Sequence, residues 1–335
     1  MGKERLVFID TCKVLAMFMV TWAHCAQQIS GNMFPQLLLS KDVFISINMP
    51  IFMLASGFVM NIQKIRDTSF KVFLISKSCR LLLPMTIWFF LLSIVIYPKT
   101  LNYWDAYWYL SALFICFLII KMLTYIVPSS VSVHFVFLTS TMLLMLFSVS
   151  FFEYSSFMMP FLWFGYFLRN MIDKIGIKLM LFLLILYGIL YRFWDVSYSI
   201  YNAPFNICKF EQQSFFSLVY RFLIGAIGGV VFITFIRLIV RIRQDGIISH
   251  LSKYGQYTLV FYTMSFVLNA ILARFVCHFE LYIFQPFILD VISFGTSACM
   301  MVLMYVFQTI VEHNKLLCLM FGINYHDQNK YSNIY

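Results

Sequence analysis

The chain has 335 residues, 62% of them hydrophobic and 11% charged, with a net charge of +10 and a mean hydropathy of +0.85. A water-facing surface needs far more charge than this, so a soluble domain is excluded and the chain reads as an all-α integral membrane protein. The basic excess is spread so unevenly between the connecting segments that it reports topology, and no nucleic-acid partner is read from it.

Apolar runs able to span about 30 Å of hydrocarbon recur along the chain. Ten are expected, at residues 6–29, 43–61, 73–97, 107–126, 133–151, 156–171, 178–195, 215–240, 250–274 and 284–311. With the N-terminus in the cytoplasm, seventeen Lys and Arg fall on the inner side and six on the outer, and Lys13 lies within the first run. The positive-inside rule therefore favours ten transmembrane helices with both termini cytoplasmic. No linker or repeat divides the chain, so 1–315 reads as one integral domain and 316–335, ending in HDQNKYSNIY, as a polar tail.

The first run, FIDTCKVLAMFMVTWAH, carries Asp10, Lys13 and His24. It lacks a small-residue cleavage site and is expected to stay as helix one. At about 100° per residue, Lys13 and His24 are roughly three full turns apart, and Asp10 and Gln28 fall within about 40° of the same direction. One face thus holds all four, with His24 roughly 16 Å beyond Lys13. An uncompensated charge in a lipid-embedded helix costs about 2.5 to 3.5 kcal/mol, so polar groups kept there usually face a protein interior or a water-filled path. A lone buried His often only satisfies a carbonyl, but charged companions on its face make His24 a candidate general base for a hydroxyl. The same three residues could instead form the relay of a proton-coupled transporter or exporter, although no paired halves with interrupted helices are evident.

In the second run, Asn48 and Ser56 could supply lining hydrogen bonds, or Ser56 could simply allow a close helix crossing. Next comes a basic stretch, NIQKIRDTSFKVFLISKSCRLLLP, in which Lys77 and Arg80 stand three apart on one face. Such a pair can clamp the phosphates of a nucleotide-bearing donor; positive-inside topology with anionic lipid headgroups is the plainer reading. Trp108 and Tyr109 could stack on a sugar or form an interfacial belt. Of the remaining charges, Lys121, Arg192, Asp195 and Arg274 lie near span ends where snorkelling accounts for them, while Arg221 and Asp290 sit deeper. An outer loop at 196–214, rich in Tyr, Phe, Asn and Gln, would suit a sugar ring, and an interfacial aromatic belt explains its Tyr and Phe equally well. The eight cysteines show no metal-ligand spacing, and only Cys208 with Cys277 could face each other outside the membrane.

Several segments together resemble the membrane acyltransferase-3 family. The first helix matches its pattern of a basic residue, ten positions, then His, in Lys13 and His24. In order along the chain, NMPIFMLASGFVM, KSCRLLLPMTIW, YWYLSALF and MPFLWFGYFLRN resemble four further family helices, the second of these carrying a paired basic element at Lys77 and Arg80 followed by Pro84. The resemblance implies O-acyl transfer, usually of acetyl, from cytoplasmic acetyl-CoA to a hydroxyl of a surface or lipid-linked polysaccharide, in a bacterial cytoplasmic membrane and without a metal. By position it makes His24 catalytic, Lys13 its basic partner, and Lys77 with Arg80 the paired basic residues near the donor, the three cations together binding acetyl-CoA; Asp10, on the same face, is a candidate catalytic residue or could only orient Lys13 or the helix packing, and the partners implied are the glycan acceptor and membrane lipids. Two departures stand out. Lys77 replaces the commoner Arg, keeping charge but losing the planar fork. In LSKYGQYTLVFYTMS, Met264 and Ser265 stand where the family often has His, so that segment is given no catalytic role.

Overall fold

The computed structural model describes residues 3–29, 39–95, 103, 107–128, 131–146, 150–195, 198, 211–242, 246–276 and 285–323. All elements among them are helical: α1 (Lys3–Ile29), α2 (Leu39–Phe58), α3 (Ile62–Asp67), α4 (Phe70–Lys77), a π turn (Ser78–Leu82), α5 (Leu83–Val95), α6 (Trp108–Ile126), α7 (Val133–Leu144), α8 (Ser150–Met171), a 3-10 turn (Ile172–Lys174), α9 (Ile177–Tyr191), α10 (Gln212–Ile242), α11 (Ile247–Tyr254), a 3-10 turn (Gly255–Tyr257), α12 (Thr258–Val276), α13 (Pro286–Glu312) and α14 (Lys315–Met320).

Six described helices are long and apolar enough to cross a membrane: Val7–Ile29, Phe70–Ser93, Trp108–Ile126, Gln212–Ile242, Ile247–Val276 and Pro286–Glu312. This is fewer than the ten apolar runs in the sequence. Helices α7 and α9 are apolar but have only 12 and 15 residues, too few to cross 30 Å at about 1.5 Å per residue. Helices α2 and α8 have 20 and 22 residues but carry internal Pro50 and Pro160 and more polar side chains. The outside of the bundle is oily nonetheless: Phe182, Ile185 and Ile189 of α9 are exposed, as in a lipid-facing helix.

Helix α1 runs through the core. It is antiparallel to α2, because Phe8 meets Phe58 and Trp22 meets Phe44. It is parallel to α12, because a Cβ at Gly255 would lie 2.5 Å from the Asp10 Cα while the Cys25 thiol lies 3.8 Å from Asn269 Oδ1. Helices α2 and α8 cross at Gly57 and Gly165, where the two backbones approach so closely that neither position has room for a side chain.

Charges expected to snorkel are in part internal. Lys121 is 1% exposed, and its ammonium donates to the carbonyls of Ile65, Arg66 and Thr68 at 2.8, 3.1 and 2.5 Å. It thereby satisfies the open C-terminal end of α3. Lys121→Met is expected to strand these carbonyls at a cost of about 1 to 3 kcal/mol, read as a lowered Tm in detergent; an unchanged Tm would show the ammonium to be dispensable. Arg221, expected to sit deeper, is buried, donating to the Tyr198 carbonyl at 2.9 Å with its guanidinium over Trp194. Arg237 pairs with Asp173 at 2.9 Å and donates to the Ile172 carbonyl, tying α10 to the turn after α8.

The stretch read as the start of a polar tail folds back onto the bundle. Helix α14 buries Cys318, and the following Phe321 packs on Trp88 and Phe307. Residues 324–335, most of the 196–214 loop, and both Cys208 and Cys277 lie outside the described residues.

Candidate active site

The cations singled out in α1 and in the α4–α5 helix converge. Lys13, Lys77 and Arg80 line one cavity of about 230 Å³, walled by Phe52 and Ser56 of α2 and Val59 just past its end, Tyr109, Leu113 and Phe117 of α6, and Gly255, Gln256, Leu259 and Tyr262 around the start of α12.

Local sequence explains why Arg80 can reach it. Pro84 has no N–H to give to the Arg80 carbonyl four residues back, and the helix widens there into a π turn, the kind of irregularity that recurs at functional sites. Gly322, at φ +65°, packs against this same backbone, and a Cβ on it would lie 2.6 Å from the Arg80 carbonyl oxygen. The C-terminal segment therefore braces the basic element from behind.

The electrostatics are lopsided. Lys13 is held by Asp10 at 2.9 Å. Lys77 is half-buried with its ammonium 3.6 Å from the Phe117 ring centroid, and Arg80 is exposed at the rim. Among the described residues neither Lys77 nor Arg80 forms an ion pair. Two uncompensated cations at the mouth of a cavity with aromatic and aliphatic walls suit a ligand with an anionic head and a thin, less polar arm.

Asp10 faces the 3-10 turn, since a Cβ at Gly255 would meet its Cα and Cβ. Its observed work is to position Lys13 and seat that turn.

His24 is half-buried on α1 and is not among the residues lining the cavity. It lies eleven residues beyond Lys13 on the same face, about 16 Å farther along the axis. The cavity ends before reaching it. On α2, α6 and α12 the lining residues farthest toward His24 are Phe52, Tyr109 and Tyr262. Their rings touch, with centroids 5.7 Å apart for Phe52 and Tyr109 and 5.8 Å for Tyr109 and Tyr262.

Several wall residues were not legible as such. Trp108 and Tyr109, read as sugar-stacking or as an interfacial belt, are internal at 6% and 7% exposure, and Tyr109 belongs to the cavity. Gln256 and Tyr262 come from the segment assigned no catalytic role. The Tyr-Gly-Gln break at 254–256 was the signal for a turn there, but nothing local said what the turn meets.

A family model described as an acyltransferase domain, that of the acyltransferase-3 family, matches residues 6–307. Comparison with curated proteins and with solved structures returns no match. An all-helical bundle with membrane-length helices and a basic internal cavity is thus a membrane acyltransferase. The chain belongs to the acyltransferase-3 family.

Proposed function

We propose that the protein transfers an acetyl group from cytoplasmic acetyl-CoA to a hydroxyl of a surface or lipid-linked polysaccharide, in a bacterial cytoplasmic membrane with both termini inside. The observation that carries this reading is the convergence of Lys13, Lys77 and Arg80 on one cavity, with His24 on the same face of α1 beyond it. The nucleotide phosphates of the donor would sit against Lys77 and Arg80, and its thioester arm would enter past Lys13. His24 would take the proton of the acceptor hydroxyl as it attacks the thioester carbonyl, or carry the acyl group transiently itself. Asp10 acts through Lys13, as a positioning residue.

The test is purified protein in lipid nanodiscs with radiolabelled acetyl-CoA and an envelope glycan extract. Label is expected in the glycan. Lys77→Ala combined with Arg80→Ala is expected to raise the half-saturating donor concentration tenfold or more, since a hydrogen bond to a charged group contributes about 1.5 to 3 kcal/mol. The loss should shrink as salt is raised. Unchanged donor affinity in the double variant would remove the clamp from the mechanism.

A further inference from the structure

Tyr107 stands out among the buried polar groups. It is fully buried, and its hydroxyl has no hydrogen-bond partner among the described residues. An unmade hydrogen bond in a buried site is destabilising and asks for an explanation.

Its place in the bundle supplies one. The Tyr107 ring lies 6.1 Å from that of Tyr262 and 5.1 Å from that of Phe266, both on α12. Helix α12 runs parallel to α1, with Gly255 at the level of Asp10 and Asn269 at the level of Cys25. Tyr262 and Phe266 are seven and eleven residues past Gly255, so they stand level with Met17 and Thr21 of α1. Tyr107 therefore lies between the levels of Lys13 and His24, beside the aromatic cap that closes the cavity. It is also the N-cap of α6, so the positive end of that helix dipole is at the same place.

We infer that the Tyr107 hydroxyl donates a hydrogen bond to the thioester carbonyl oxygen and to the oxyanion formed from it. This rests on the acyl-transfer reading above and adds an electrophilic residue to it. The acceptor oxygen forms a bond to the carbonyl carbon while its proton passes to His24, and the carbonyl π electrons move onto oxygen, where the phenol O–H faces them. On collapse the C–S bond breaks, and the thiolate leaves and takes the proton from the His24 imidazolium. Tyr107 keeps its proton throughout. An otherwise unpartnered donor would then find its acceptor only when substrate is bound, as an oxyanion-stabilising group requires.

Tyr107→Phe removes the oxygen and keeps the ring. In nanodiscs with radiolabelled acetyl-CoA and envelope glycan extract, kcat is expected to fall about 100-fold or more, the effect of losing one oxyanion donor, with the donor KM changed less than twofold. The Tm should be unchanged or raised, because the substitution deletes an unsatisfied group. A kcat within threefold of wild type, with His24→Ala inactive, would overturn the role of Tyr107 and leave the transferase reading intact. A fall in Tm accompanying the loss of kcat would make the hydroxyl structural and also overturn it. Absence of transfer by the unsubstituted protein would overturn both.

Discussion

His24→Ala is expected to abolish acyl transfer while the protein still inserts and purifies as a monodisperse species. The imidazole is the group on the Lys13 face of α1 that the proposed mechanism uses as general base or acyl carrier. Loss of a general base costs about 10²- to 10⁴-fold, and loss of a covalent carrier costs more. The Tm should barely move, because His24 is half-buried and no described residue hydrogen-bonds to it. The donor KM should also hold, because Lys77 and Arg80 lie at the far end of the cavity. Radiolabel transfer at the wild-type rate in this variant would eliminate His24 from the chemistry.

The largest expected effect on stability comes from the α2–α8 crossing. A Cβ at Gly57 would sit 1.9 Å from the Leu162 carbonyl oxygen, and one at Gly165 would sit 2.1 Å from that of Leu54. Both obstacles are backbone, so no rotamer change relieves them and the two helices must separate. Gly57→Val is expected to cost about 4 kcal/mol or more, at the extreme of single substitutions, and to appear as aggregation in size-exclusion chromatography. Gly188→Ala is the matched control. It lies in α9 with open space around it, and a helix-interior Gly to Ala change should be neutral or stabilising by up to about 1 kcal/mol. A Gly57→Val protein with wild-type Tm would mean that the close approach is not required.

These residues also mark where sequence reading stops. The membrane class, the helical architecture and the polar stripe of α1 follow from local composition and 3.6-residue periodicity, since transfer free energy and helical phase depend only on neighbouring residues. The pairing of Lys77 with Arg80 was legible in the same way, although the π turn that carries Arg80 was not. The span count was less secure. Hydropathy registers an apolar run at 133–151, whereas α7 within it is a twelve-residue helix, because helix ends are set by caps such as Ser132 and by what the chain must meet next.

Read alone, the sequence determined that this is a helical membrane protein of the acyltransferase-3 type, and it put Asp10, Lys13 and His24 on one face. The tertiary structure decided that Lys13 shares a cavity with Lys77 and Arg80, that Tyr109 and Tyr262 close that cavity short of His24, that Lys121 holds the end of α3, and that Gly322 packs against the Arg80 backbone. The dividing line is physical. A residue's own helix dictates the direction in which it points, but which distant segment it meets depends on close approaches such as Gly255 on Asp10 or Gly322 on Arg80, and those exist only once the helices have packed.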